Sequence, residues 1–230
     1  MVGHREGHRQ TNWLRDVILG GQDGLVNILG IILGVIAAGG SDNVLLVTGL
    51  AAAITESISM AAVGYTSSIS ERDFYRSELA RETAEIETMP DAEAQEIRDI
   101  YAGKGFSGSL LESVVTTITA NRDTWLTTMM EEELHIQPVA ARAIIRTAVV
   151  IGVATLIGHL IPLVPFFVLP RVPALVAAIA LSTAALFGVG AYTAVTLVGD
   201  WRLAGLRFVA IGLGAAAIGF IVGRLFNSAA

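Results

Sequence analysis

The stretch ETAEIETMPDAEAQE sets four glutamates in two pairs, Glu82 with Glu85 and Glu93 with Glu96. Residues three apart share one face of a helix, so each pair presents two carboxylates to one point. Four such charges on adjoining helices repel one another unless a cation sits among them. A further patch, MMEEELH at 129–135, puts Met130 and Glu133 at the same spacing, with Met129, Glu132 and His135 beside them. Carboxylates joined by thioethers suit a first-row divalent ion such as Fe2+ or Mn2+ better than Ca2+ or Mg2+, which have little use for sulfur. The same residues on a solvated helical face need no ion, and spacing alone weighs the two readings equally.

A second constellation lies in apolar surroundings. Glu56 and Met60 in AITESISMAAVGYTSS are four apart and stack on one helical face, with Ser57 and Ser59 near; Asp23 and Asn27 in DGLVN stack likewise. Two carboxylates, an amide, hydroxyls and a thioether can line a polar path. Against this, Asp23 can be an interfacial helix cap and Met60 ordinary packing. Glu56 is harder to dismiss, because an acidic residue in the middle of a membrane span costs about 2.5–3.5 kcal/mol. His159 can relay protons, although a lone histidine in a span is more often hydrogen-bonded to a neighbouring helix.

The elements that must position these residues follow from composition. The 230 residues are 53% hydrophobic and 16% charged, and the mean hydropathy is +0.63, beyond what a soluble domain needs. This predicts an all-α integral membrane protein. Apolar runs at roughly 17–38, 43–69, 143–164, 172–198 and 203–226 are each long enough to cross a bilayer, giving five spans. Asp16, Asp23, Gly20, Gly21 and Gly24 interrupt the first run, which predicts an interfacial or broken start. The chain then divides into 1–69, with the N-terminus and spans one and two; 70–142, a helical insert; and 143–230, with spans three to five.

The insert holds most of the acidic residues and its punctuation predicts three helices: one continuing from span two to about Thr88, one starting near Pro90, and one after GKGFSG. Lys and Arg placement puts the N-terminus and the insert in the cytoplasm and the C-terminus outside. The polar start has no secretory signal pattern. A net charge of −6 argues against nucleic-acid binding, and the lack of cysteine excludes disulfides and thiolate sites. The glycines of GVGAYTA and GLGAAAIG sit in apolar runs and read as helix packing, not as phosphate loops.

In order along the chain, DGLVNILGIILGV, ESISMAAVGYTSS, the ERD opening of the insert, TMPDAEAQEIRDIYAGKGF and TANRDTWLTTMMEEELHI together resemble the vacuolar iron transporter family, over most of the chain. The resemblance implies homodimers of five-span subunits with a helical cytoplasmic metal-binding domain between spans two and three. It also implies export of Fe2+ from the cytosol in exchange for protons, with a path at the dimer interface. Carried over by position, Asp23 and Met60 line that path, and Glu82, Glu85, Glu93, Glu96, Met129, Met130 and Glu133 form the cytoplasmic metal site. One departure is Val63-Gly64-Tyr65, where many members have Gly-Glu-Tyr; Glu56, earlier on the same helix, is the candidate to compensate as ligand or proton carrier.

No prosthetic group is expected; Fe2+, Mn2+ or another divalent transition ion is substrate, and lipid and protons are the other partners. Two other classes compete. Glu132-x-x-His135 resembles half of a di-iron ferroxidase centre but lacks a second such motif, and a membrane-anchored metal sensor would leave five spans with Asp23 and Glu56 unexplained. The brevity of the chain suggests a bacterial-type plasma membrane, with a vacuolar membrane as the alternative.

Overall fold

The computed structural model describes residues 12–196 and 199–228, so His4, His8, Arg5 and Arg9 lie outside the described residues. Among the described residues every regular element is helical. In chain order these are α1 (Asn12–Ala37), α2 (Asp42–Thr88), α3 (Pro90–Gly103), α4 (Gly108–Thr119), α5 (Arg122–Thr128), a π-helix (Met129–Glu133), α6 (Ala141–Leu163), α7 (Pro165–Val168), α8 (Arg171–Thr196) and α9 (Trp201–Ser228). Five of them, α1, α2, α6, α8 and α9, are long and apolar enough to cross a membrane. The chain divides into two compact units, Met1–Tyr65 with Ile145–Ala230, and Thr66–Ile144.

In the first unit α1 is continuous through Gly20, Gly21 and Gly24, where a break or an interfacial start is predicted. These glycines are contact points instead. A Cβ at Gly20 would strike the Ile151 carbonyl and come 2.9 Å from the Thr155 hydroxyl; one at Gly158 on α6 would come 2.6 Å from the Gly21 carbonyl oxygen. The C-terminal half of α1 meets α9 in the same manner, with Gly219 against the backbone of Gly30 and Gly223 against that of Gly34. Lipid offers no hydrophobic drive for helices to associate, so backbones brought together by small residues supply the packing. The glycines of GLGAAAIG are in part this packing: Gly219 touches Gly30, and Gly212 accommodates Leu186. Ile28, Ile32, Leu45 and Leu163 form a buried cluster between α1, α2 and α6.

The second unit has the polar continuation of α2, then α3, α4, α5 and the π-helix. Pro90 opens α3 at the position where a missing N–H costs nothing. Gly105 and Gly108, at φ 96° and 58°, make the turn in GKGFSG. After it two α-helices follow in place of the one predicted. The chain breaks at Ala120 and Asn121, and the Asn121 side chain caps α5 by accepting from the Thr124 amide at 3.0 Å. Ile86, Ile97, Leu111, Val115, Ile118, Trp125 and Met129 form the core of this unit, and Arg98 clasps Glu112 with two bonds of 2.8 and 2.9 Å across α3 and α4.

Candidate functional site

In the apolar unit three helices bring polar groups to one place. Glu56 on α2 accepts a hydrogen bond from the Asn27 amide on α1 through Oε1, and its Oε2 lies 3.1 Å from His159 Nε2 on α6. Asp23, one turn before Asn27, is within hydrogen-bonding reach of Glu56. His159 is fully buried and its Nδ1 lies 2.9 Å from the Thr155 carbonyl oxygen. A carbonyl only accepts, so Nδ1 carries the hydrogen, and one proton lies between Nε2 and Glu56 whichever of the two owns it. Asp23 also borders two grooves of about 620 and 650 Å³ beside α9, one running past Arg15 and Gln22, the other past Asn27 and Gly30.

Of the predicted residues, Asp23, Asn27 and Glu56 are thus gathered. Met60 is half-buried one turn beyond Glu56. Ser57 is not part of the set: it is buried and its hydroxyl donates to its own helix, to the Ala53 carbonyl at 2.5 Å. At position 64 a Cβ would come 2.8 Å from Ile151 Cδ1 and 3.3 Å from Ala148 Cα on α6. The close approach of α2 and α6 therefore accounts for a glycine where the resembling family carries a carboxylate.

In the other unit Glu82, Glu93, Met129 and Met130 are buried, Glu85 and Glu133 half-buried and Glu96 exposed. The π-helix matters here. Its wider turn, closed by the Leu134 amide on the Met129 carbonyl at 3.1 Å, lets two consecutive methionines both face inward, at 0% and 2% exposure. Burial pushes Glu93 and Glu133 up to about 7, and the charges of Glu96 and Glu82 add to the rise in both. Burial also raises Glu82, opposed by its hydrogen bond from Arg81. Each of Glu93 and Glu133 keeps one buried oxygen that accepts no hydrogen bond.

The cation among these carboxylates is Arg81, a residue sequence reasoning missed. Its guanidinium lies 2.8 Å from Glu78, 3.2 Å from Glu82 and 3.6 Å from Glu85. Among the described residues, no three His, Asp or Glu side chains stand in a coordinating arrangement. Glu132 is paired with Lys104, and His135, at a left-handed φ of 54°, turns Nδ1 to the Glu131 carbonyl at 3.1 Å. The Glu132-x-x-His135 pattern is therefore engaged locally. The other missed partners, His159 for Glu56 and Thr147 for Asp16 at 3.1 Å, lie more than a hundred residues away in sequence, where periodicity gives no signal.

Comparison with known proteins adds an independent line. A sequence model of the VIT family matches residues 14–224. The chain is 36% identical over 168 residues to vacuolar iron transporter 1 of Tulipa gesneriana, covering 73% of this chain and 68% of that protein. It is 34% identical over 168 residues to the vacuolar iron transporter of Centaurea cyanus, covering 73% and 69%. With vacuolar iron transporter 1 of Arabidopsis thaliana it shares 33% identity over 186 residues, 80% of this chain and 74% of that one.

Proposed function

The chain belongs to the VIT family, and from that premise we propose that it carries Fe2+, with Mn2+ as a second substrate, out of the cytosol in exchange for protons. It is a multi-pass membrane transporter and not an enzyme. The names of its relatives favour a vacuolar membrane over the plasma membrane that the brevity of the chain suggested. The observation that carries the reading is the meeting of Asp23, Asn27, Glu56 and His159, from three helices, within spans otherwise apolar. Ionisable groups within transmembrane segments mark ion and proton pathways.

In this reading the N-terminus and the insert face the cytosol and the chain works as a homodimer. Glu82, Glu85, Glu93, Glu96 and Glu133 replace water around the incoming ion, and Met129 and Met130 favour a softer ion over Mg2+. The ion then moves to Asp23 and past Met60, with Glu56 beside the path. Protons travelling the other way neutralise carboxylates, and a protonated carboxylate is a poor ligand, so the two cargoes exclude each other.

The test is uptake of Fe2+ and Mn2+ into proteoliposomes containing an internal pH dye. Metal entry with proton exit, both lost in Asp23→Ala and Met60→Ala, is the expected result. Vesicles that stay silent while the full-length protein binds metal would replace transport with a membrane-tethered metal binder.

A further inference from the structure

We propose that His159 is a positioning residue for transport, one that holds the Glu56 carboxylate turned toward Asp23; the inference rests on the transport reading above. Glutamate has three rotatable side-chain bonds, so a single neighbour leaves it free to swing. Glu56 is gripped from both sides, by Asn27 on α1 and by His159 on α6, although its side chain keeps 24% exposure.

The histidine is itself held. Its ring is fully buried, the Thr155 carbonyl fixes Nδ1, and Gly24 leaves the room: a Cβ there would come 2.8 Å from Nδ1. A ring donating one N–H to a backbone carbonyl presents the other nitrogen in a fixed direction, and here that direction is Glu56 Oε2. Position 64 is crowded against α6, so Glu56 is the carboxylate of α2 that meets both α1 and α6, and its orientation depends on a residue 103 positions away.

Two amides separate the roles of the two nitrogens. His159→Gln keeps a donor near the Nε2 position, and His159→Asn keeps one near Nδ1. In proteoliposomes, His159→Asn should raise the KM for Fe2+ about tenfold or more, the scale on which supporting shells act, with a smaller change in maximal rate. His159→Gln should stay close to wild type, and neither substitution should add to Glu56→Gln, since both act through that one carboxylate. Equal impairment by both amides, or by neither, or additive losses in the Glu56→Gln background, would overturn the proposal. Infrared spectroscopy gives a second readout that needs no transport: the carboxyl band lost in Glu56→Gln should shift in His159→Asn and hold in His159→Gln. An unmoved band also overturns it. Silent wild-type vesicles count against the transport reading instead, and the infrared band then decides the positioning by itself. Variants are compared only where size exclusion matches wild type, with His159→Ser in place of any Asn variant that does not fold.

Discussion

In the spans, Asn27, Glu56 and His159 each find a protein partner, whereas in the insert Glu93 and Glu133 each bury an oxygen that accepts nothing. The same residue type thus sits in two settings. Within lipid an unpaired polar group is costly, and Asn27, Glu56 and His159 close on one another, while the Ser182 hydroxyl of α8 is the smaller polar group buried there without a partner. In the insert, with water close by, carboxylates can be crowded past what their neighbours satisfy, and the cost appears as raised proton affinity. The closed arrangement keeps its geometry; the crowded one leaves carboxylates whose charge is only partly offset, by Arg81.

The largest expected effect comes from stripping the crowded set. Alanine at Glu82, Glu85, Glu93 and Glu96 together should weaken Fe2+ and Mn2+ binding by the full-length protein about 100-fold or more, because affinity follows the number of charged ligands. Titration calorimetry reads this, and undiminished binding would break the contrast.

Next comes proton dependence. Glu93 and Glu133 sit near 7 in the fold against an ordinary 4.5, so the folded chain holds extra protons between those values. The stability this adds is complete below about pH 4.5 and is lost as pH rises through about 7. Melting temperature should therefore fall from pH 5 to pH 8, and saturating Mn2+ should remove the fall. A flat profile without metal would mean that the crowding carries no energetic cost.

A carboxylate without partners can also be forced into the spans. Gly64→Glu must displace Ile151 and Ala148 and should cost at least the roughly 1–3 kcal/mol of overpacking, read as reduced thermal stability in detergent, with Gly64→Ala milder. Tolerance of the glutamate would show that α2 and α6 have slack. The smallest effect is expected at Arg81, about half exposed. Arg81→Gln should tighten Mn2+ binding about two- to fivefold, the small scale on which an exposed ion pair acts.

The spans were legible because hydropathy over twenty residues survives any detail of packing: 143–164 and 172–198 fall on α6 and α8 within two residues at each end. A break in α1 was expected because Gly20 and Gly24 weaken a helix in water, while their use here is contact with α6 along a continuous helix. The break at Asn121 was missed because a single asparagine cap inside TANRDTW is a weak signal beside the glycines of GKGFSG. The glutamates and methionines of the candidate sites stood out by type and spacing. Their environments did not: the Glu56–His159 contact and the π-turn that buries Met129 with Met130 depend on tertiary packing.

The glycine seams that bind α1 to α6 and to α9 also bear on time. Helices that touch backbone to backbone have no compressible layer of side chains between them, so sliding α1 would mean breaking the seams at Gly20, Gly158, Gly219 and Gly223 together. Such displacements belong to the microsecond-to-millisecond range, whereas a side chain turns between rotamers in picoseconds to nanoseconds. Within this unit the helices are therefore the slow frame, and the Glu56 carboxylate, held through Asn27 and His159, keeps the orientation that frame sets.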